Sequence, residues 1–426
     1  MKPICCICLF CGALVIAAFG QEKKPDVATL IKQLKDPNKK VRQEAAEALG
    51  DLGPLARAAV PALVDAIRDD ETGLDAVQAI AKIGTAAIPP LREGLKNNDW
   101  FICAESARML GNFGPPAKYA LPELLDTLKD PDKRVRGLSI RAVGRIGPGA
   151  KSAVTALVGF LKDPDKETRL LTISALVQIG PQAKAAIPAL IETLKDKDEV
   201  IRRFAAGALG EFGSEAKAAV PALIEALQDE KADVRGSAAL VLGWLGSDGK
   251  PASDALNKLL HDKDQAVRLN AAFALAAFDP AHPGALPALN AGLRDDQPVI
   301  RTMAAHLLGL IGPPAKRTAP TLNRALRDTE KQVRLAAATA LVRLDPQYED
   351  AAKMVLESLP EILQSFEEID EPVPSVYRVF LAEVLGALGP RAKDAEDALT
   401  DALEDKNEKV QAAALEALQK IRKPRR

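Results

Sequence analysis

The sequence is poor in the residues from which catalytic centres and disulfide scaffolds are usually made. It holds 3 histidines, 5 cysteines, 2 tryptophans and 3 tyrosines in 426 residues. Cys5, Cys6, Cys8 and Cys11 all fall in the first stretch of chain, so once that stretch is removed Cys103 stands alone and no intrachain disulfide can form. Packing must then hold the fold. An aromatic content of 4% disfavours a β sandwich, whose strands draw on aromatic and β-branched residues. His261, His282 and His306 are widely separated, form no His-Glu dyad and have no cysteine cluster beside them, so no metal site is expected. The phosphate-binding loop, the G-x-S-x-G elbow and the dinucleotide fingerprint are all missing, so no catalytic residue and no cofactor is expected either. A formal net charge of −1 gives no bulk attraction to nucleic acid or to an anionic membrane.

The opening residues do have a pattern. One charge at Lys2 precedes an apolar run from Ile4 to Phe19, followed by a small-x-small site at Ala18-Phe19-Gly20. This predicts a signal peptide over residues 1–20, cleaved before Gln21, and hence a periplasmic or secreted protein. An uncleaved anchor is the alternative, but the run is shorter than the roughly 20 residues that span a bilayer. Cys11 follows the bulky Phe10, so lipidation is not expected.

Residues 21–426 are dominated by a repeat. An aliphatic residue followed by Arg recurs at Val135-Arg136, Ile201-Arg202, Val234-Arg235, Val267-Arg268, Ile300-Arg301 and Val333-Arg334, with Thr168-Arg169 in the gap, every 33 residues. An acid precedes each by a constant interval: Asp130, Asp163, Asp196, Asp229, Asp262, Asp295 and Asp328. Within one unit, Ala219 to Gly246, Pro221 marks a helix start, where its missing N–H is harmless. Leu223, Ile224 and Leu227 give that helix an apolar stripe, and a polar turn from Asp229 leads to a second helix over about Ala232 to Gly243. Asp229 or Asp233 can cap the second helix, and Gly243 and Gly246 are expected to end it. About eleven such hairpins follow one another. Each is too small to bury its own stripe, so neighbours must stack. The fold predicted is all-α, a right-through superhelical stack of hairpins.

The pattern D-x-x-x-x-V-R-x-x-A-A-x-A-L-G followed by A-V-P-x-L resembles HEAT repeats, especially the short HEAT-like units of bilin lyases, over about Asp26 to Ile421. A 33-residue period also suits ankyrin repeats, but the T-P-L-H turn is missing, and the tetratricopeptide pattern of Trp, Tyr and Phe is missing too. The resemblance implies that the Arg and Asp columns, Arg136 to Arg334 and Asp130 to Asp328, tie successive turns together rather than bind phosphate. It also implies that second helices line an inner face. Cys103 takes the Arg position of its unit, which suits a small packed residue.

Away from the buried stripe, the second helices vary from unit to unit. Leu170, Leu240, Leu269 and Phe273, with Trp244, His306 and Leu310 nearby, are the candidate inner-face residues for a protein or peptide partner. A shifted helix phase or wide superhelical contacts would bury them instead. Two irregularities interrupt the period: the unit from Ile80 to Pro89 is five residues short, and Arg334 to Arg378 spans 44 residues, with an acidic insertion near 360–371 that is either a binding element or a spacer. The reading favoured is a non-catalytic scaffold. A bilin lyase-like enzyme with a chromophore between Trp244 and Phe273 is the first alternative, and a HEAT-like nucleic-acid-binding protein using Arg108, Arg141 and Arg203 the second.

Overall fold

The computed structural model describes residues 26–363 and 374–423, all helix, turn or loop with no strand among the described residues. The leader expected over 1–20, and all of the acidic insertion beyond the short helix Leu359–Leu363, lie outside the described residues. The chain forms two compact units, Met1–Gly94 and Leu95–Arg426. The division falls next to the repeat that is five residues short. In the first unit the helices Val27–Gln33 and Lys39–Asp51 form one hairpin, and Val60–Ala66 with Gly73–Ile83 the next. In the second unit each second helix packs on the second helix of the hairpin that follows.

The repeat has three pieces rather than the two expected. In the unit already dissected, Gly213–Ala219 forms a turn of 3-10 helix, Val220–Ala226 a short α-helix and Ala232–Trp244 a long one. Seven residues could not hold a helix in isolation. Burial holds it here: Ala216, Ala219 and Leu223 are completely enclosed. At the second helix, Asp132, Asp165, Asp198 and Asp264 each cap their own segment by accepting backbone N–H groups of its first turn. In the dissected unit that position is Lys231, and neither Asp229 nor Asp233 caps the helix. Asp229 accepts the Lys231 N–H at 2.9 Å in the preceding turn instead.

The two glycines expected to end this helix do different things. Gly246 has φ +56 and opens the loop as anticipated. Gly243 lies inside the helix, where a Cβ would come 2.6 Å from the Phe273 ring and 3.0 Å from the Ala274 Cα of the next second helix. Its smallness sets how closely neighbouring hairpins approach. The leucine-glycine pair in the repeat is therefore a packing signal.

The charged columns join hairpins along one edge. Arg202 meets Asp229 at 2.7 Å, Arg235 meets Asp262 at 2.8 Å, Arg301 meets Asp328 at 2.7 Å and Arg169 meets Asp196 at 3.0 Å, always one hairpin ahead. Arg42 with Asp69, and Arg378 with Asp405, repeat the contact within the first unit and near the end of the second. Each of the four central arginines also donates to the backbone carbonyl of the aspartate in its own hairpin, as Arg235 does to the Asp229 carbonyl at 2.8 Å. Among the described residues, Arg136, Arg268 and Arg334 make only carbonyl bonds within their own turns, to Asp130 and Pro131, to Asp262, and to Asp328 and Thr329. Asp130, Asp163 and Asp295 likewise serve their own turns, accepting the N–H of Asp132, Asp165 and Gln297.

Burial opposes ionisation of Asp262, but the Arg235 guanidinium and the Asp264 N–H outweigh it and hold the carboxyl below its ordinary value. Asp229 behaves in the same way, with Arg202 as its counter-ion. A carboxyl whose folded-state pKa is depressed adds stability that is complete above its unfolded value of about 3.9 and is lost as pH falls through the folded value. The melting temperature should therefore hold from neutral pH down to about pH 4 and fall below it. The paired replacement Arg235→Met with Asp262→Leu should make that acid limb shallower in melts followed by circular dichroism. An acid limb of unchanged slope would remove the ladder from the explanation.

Candidate partner-binding surface

The face of the second helices left open in the second unit is set by the same period that buries Val135, Ile201 and Val234. On Trp100–Phe113 it carries Trp100 and Phe101; on Lys133–Ile146, Arg134, Gly137, Leu138 and Arg141. Lys166–Ile179 adds Leu170 and Leu171, and Glu199–Glu211 adds Arg203 and Phe204. Leu138, Leu171 and Phe204 occupy one position of the repeat on three consecutive helices, so they form a row across the stack. Trp100 and Phe204 are each 39% exposed, unusual for large aromatics in a chain with so few. The Arg134 guanidinium lies 3.3 Å from the Trp100 ring centroid and the Arg203 guanidinium 4.8 Å from that of Phe204. Trp100, Phe101, Leu138, Arg141 and Leu171 line an open cleft of about 350 Å³.

The residues chosen from sequence are only partly on this surface. Leu170, Leu240, Trp244 and Leu310 are half-buried. Leu269 and Phe273 are buried, 1% and 4% exposed, and so cannot belong to an exposed patch. Phe273 fills the space over Gly243, and Leu269 lies beside Gly292 of the next hairpin. Glycines at both contact points let bulky side chains that would face outward on an isolated helix sink between helices. Trp244 does the same over Gly210, where a Cβ would meet its ring at 2.7 Å. With Phe273 enclosed, no chromophore cavity forms between it and Trp244.

His306 is half-buried. Its Nδ1 lies 3.1 Å from the Tyr377 hydroxyl, the two rings meet edge to face, and burial pushes the imidazole pKa down to about 4. It is neutral at pH 7 and part of a small aromatic cluster with Tyr377 and Phe380. Cys103 is buried, its Sγ 3.2 Å from the Leu95 carbonyl oxygen, and desolvation, with a smaller push from Asp130, raises the thiol to about 11. A thiol so raised is a poor nucleophile. No group of three or more His, Cys, Asp or Glu that could hold a metal occurs among the described residues.

The sequence search missed Trp100, Leu138, Leu171 and Phe204. The signal was available one position further along the repeat, because Arg202-Arg203-Phe204 and Arg136-Gly137-Leu138 align.

The family profile for HEAT repeats matches residues 13–81, 121–202, 187–262, 252–341 and 366–426. The chain belongs to the HEAT-repeat family. The profile of the PBS lyase HEAT-like repeat matches residues 74–97, a short stretch around the shortened unit. No curated protein sequence matches the chain. Among solved structures, yeast importin-beta is similar with a TM-score of 0.55 at 13% identity, covering 93% of this chain and 61% of that one. Importin beta crystallised in ammonium sulfate gives 0.54 at 16% identity, covering 92% and 63%. The HEAT protein described here thus spans about three-fifths of the length of these structures, and the likeness is one of fold.

Proposed function

We propose that this HEAT-repeat protein is a non-catalytic scaffold that holds a protein or peptide partner on the second-helix face of its second unit, around Trp100, Leu138, Leu171 and Phe204. The observation that carries the reading is the row of apolar side chains on three consecutive second helices, Phe204 exposed and Leu138 and Leu171 half-buried, flanked by arginines. A hydrophobic ridge with aromatic and arginine neighbours is the usual composition of an interface centre. Arg141, which has no carboxylate partner among the described residues, and Arg203, engaged only with a ring, are left to orient the partner. The ladder arginines are bound to aspartates or to turn carbonyls, which argues against phosphate binding along that edge. Export through residues 1–20 remains part of the proposal and says where to look for the partner, in the periplasmic or extracellular fraction.

Phe204→Ser combined with Leu138→Ser removes the ridge, and because Leu138 packs partly against Cys103, Ala104 and Val135 the melting temperature should fall modestly while the fold is kept. Retention of partner from that fraction should fall at least about tenfold, as loss of a hot-spot pair does. Equal retention by a folded variant would refute the site.

A further inference from the structure

The second unit touches itself at a great distance along the chain. The carboxylate of Glu211, the last residue of helix Glu199–Glu211, accepts the backbone N–H of Ser375 at 3.2 and 3.3 Å across 164 residues. Ser375 is the first residue of helix Ser375–Leu388 and is buried. Two further contacts join the same regions. The Lys406 side chain runs over Gly180, with its Cβ and Cγ 3.6 Å from where a glycine Cβ would stand, and Lys409 Nζ lies 3.3 Å from the corresponding point at Gly213.

All three contacts are made at helix ends. A helix N-terminus exposes N–H groups and attracts an anion; a C-terminus exposes carbonyls and attracts a cation. Glu211 sits at the N-terminus of Ser375–Leu388. The methylene stem of Lys406 packs against the glycine that ends Lys166–Ile179, and the Lys409 ammonium lies by the glycine just past Glu199–Glu211. The hairpins around 180 and 213 are therefore joined to those around 375 and 409, and the hairpins between them form a closed turn.

We propose that this seam is an electrostatic clasp which keeps the turn of hairpins from about 180 to about 409 closed within the second unit. The clasp consists of one carboxylate and two flexible lysines at partly exposed helix ends, which makes it sensitive to ions in a way that the apolar seams between adjacent hairpins are not. Screening shortens the reach of such charges from about 10 Å at 0.1 M salt to about 3 Å at 1 M. Opening needs no hairpin to unfold, because only contacts between turns are broken and each hairpin keeps its sequence neighbours.

Small-angle scattering of the full chain tests this without any partner. The radius of gyration of the wild type should rise by roughly one-tenth between 50 mM and 1 M salt as the charges are screened. Lys406→Glu with Lys409→Glu should be expanded at both salts, with unchanged helix content by circular dichroism. Glu211→Gln, which keeps the shape of the side chain and drops its charge, should open at lower salt than the wild type, and it serves as the test should the double reversal fail to fold. Wild type and variants of identical, salt-independent dimensions would overturn the clasp. Failure of the binding surface reads out differently: Phe204→Ser with Leu138→Ser would retain partner undiminished while the scattering response to salt stayed intact.

Discussion

Phe273→Ala is expected to lower the stability of the second unit by about 3–5 kcal/mol, the cost of removing a buried aromatic and leaving a cavity. The ring is 4% exposed and packs over Gly243, with backbone of the neighbouring helix on the far side, so little can collapse into the space. Because each hairpin contacts chiefly its neighbours, the damage should appear as local opening of helices Ala232–Trp244 and Gln265–Phe278 in hydrogen exchange before it appears elsewhere. The reciprocal change gives an independent check. Gly243→Ala puts a methyl where the ring already lies 2.6 Å from the Cβ position, and overpacking of this kind costs about 1–3 kcal/mol. Phe273→Leu should recover part of that loss. Should Phe273→Ala unfold in denaturant at the wild-type midpoint, the residue would be a surface side chain after all, as its position on a helical wheel first suggested.

That contrast shows what a periodic sequence does and does not reveal. The period, the helix pair, the proline at the first helix and the aspartate at each turn are local, and Pro221, Leu223 and Asp229 could be placed from the chain alone. The 3-10 turn over Gly213–Ala219 was hidden because its five small residues, with Glu215 and Lys217, carry no helical stripe. Its conformation comes from Ala216 and Ala219 being locked into the core. The candidate site was misplaced for a related reason. A wheel with one buried stripe assigns Leu269 and Phe273 to the outside, but a helix in a stack has two neighbours as well as a partner within its hairpin. Where a neighbour offers glycine, as at Gly243 and Gly292, the buried arc widens by one more side chain. Phe204, by contrast, stays partly exposed. Reading exposure in such a protein thus requires comparing each residue with its counterpart a repeat away, a long-range rule that still lies within the sequence. The contact of Glu211 with Ser375 had no such rule, because it depends on the summed rotation of many hairpins.

The ladder makes the sharpest quantitative distinction between residues that look identical in the repeat. Arg235→Ala should destabilise by about 3–5 kcal/mol, because it strands the Asp262 carboxylate without its counter-ion. Both side chains are buried to within a tenth of their surface, and two guanidinium nitrogens reach the two carboxylate oxygens at 2.8 Å each. Arg268→Ala removes a guanidinium that, among the described residues, meets the Asp262 backbone carbonyl at 2.6 Å and no carboxylate, and should cost about 1.5–3 kcal/mol, the net worth of a charge-assisted hydrogen bond. Urea unfolding of the two variants measures the difference, and equal midpoints would mean that the ion pair contributes nothing beyond its hydrogen bonds to the turn. Adding Asp262→Leu to Arg235→Met should restore most of the lost stability, since an apolar pair of similar size carries no desolvation cost. It should not restore the geometry equally well. The fork of Arg235 holds Asp262 on the next turn and the Asp229 carbonyl on its own at once, and so fixes the rotation between hairpins as well as their distance. Small errors in that rotation accumulate along the stack, so the apolar pair should leave the melt at neutral pH nearly unchanged and still shift the salt dependence of the radius of gyration by pulling the Glu211 and Ser375 ends out of register.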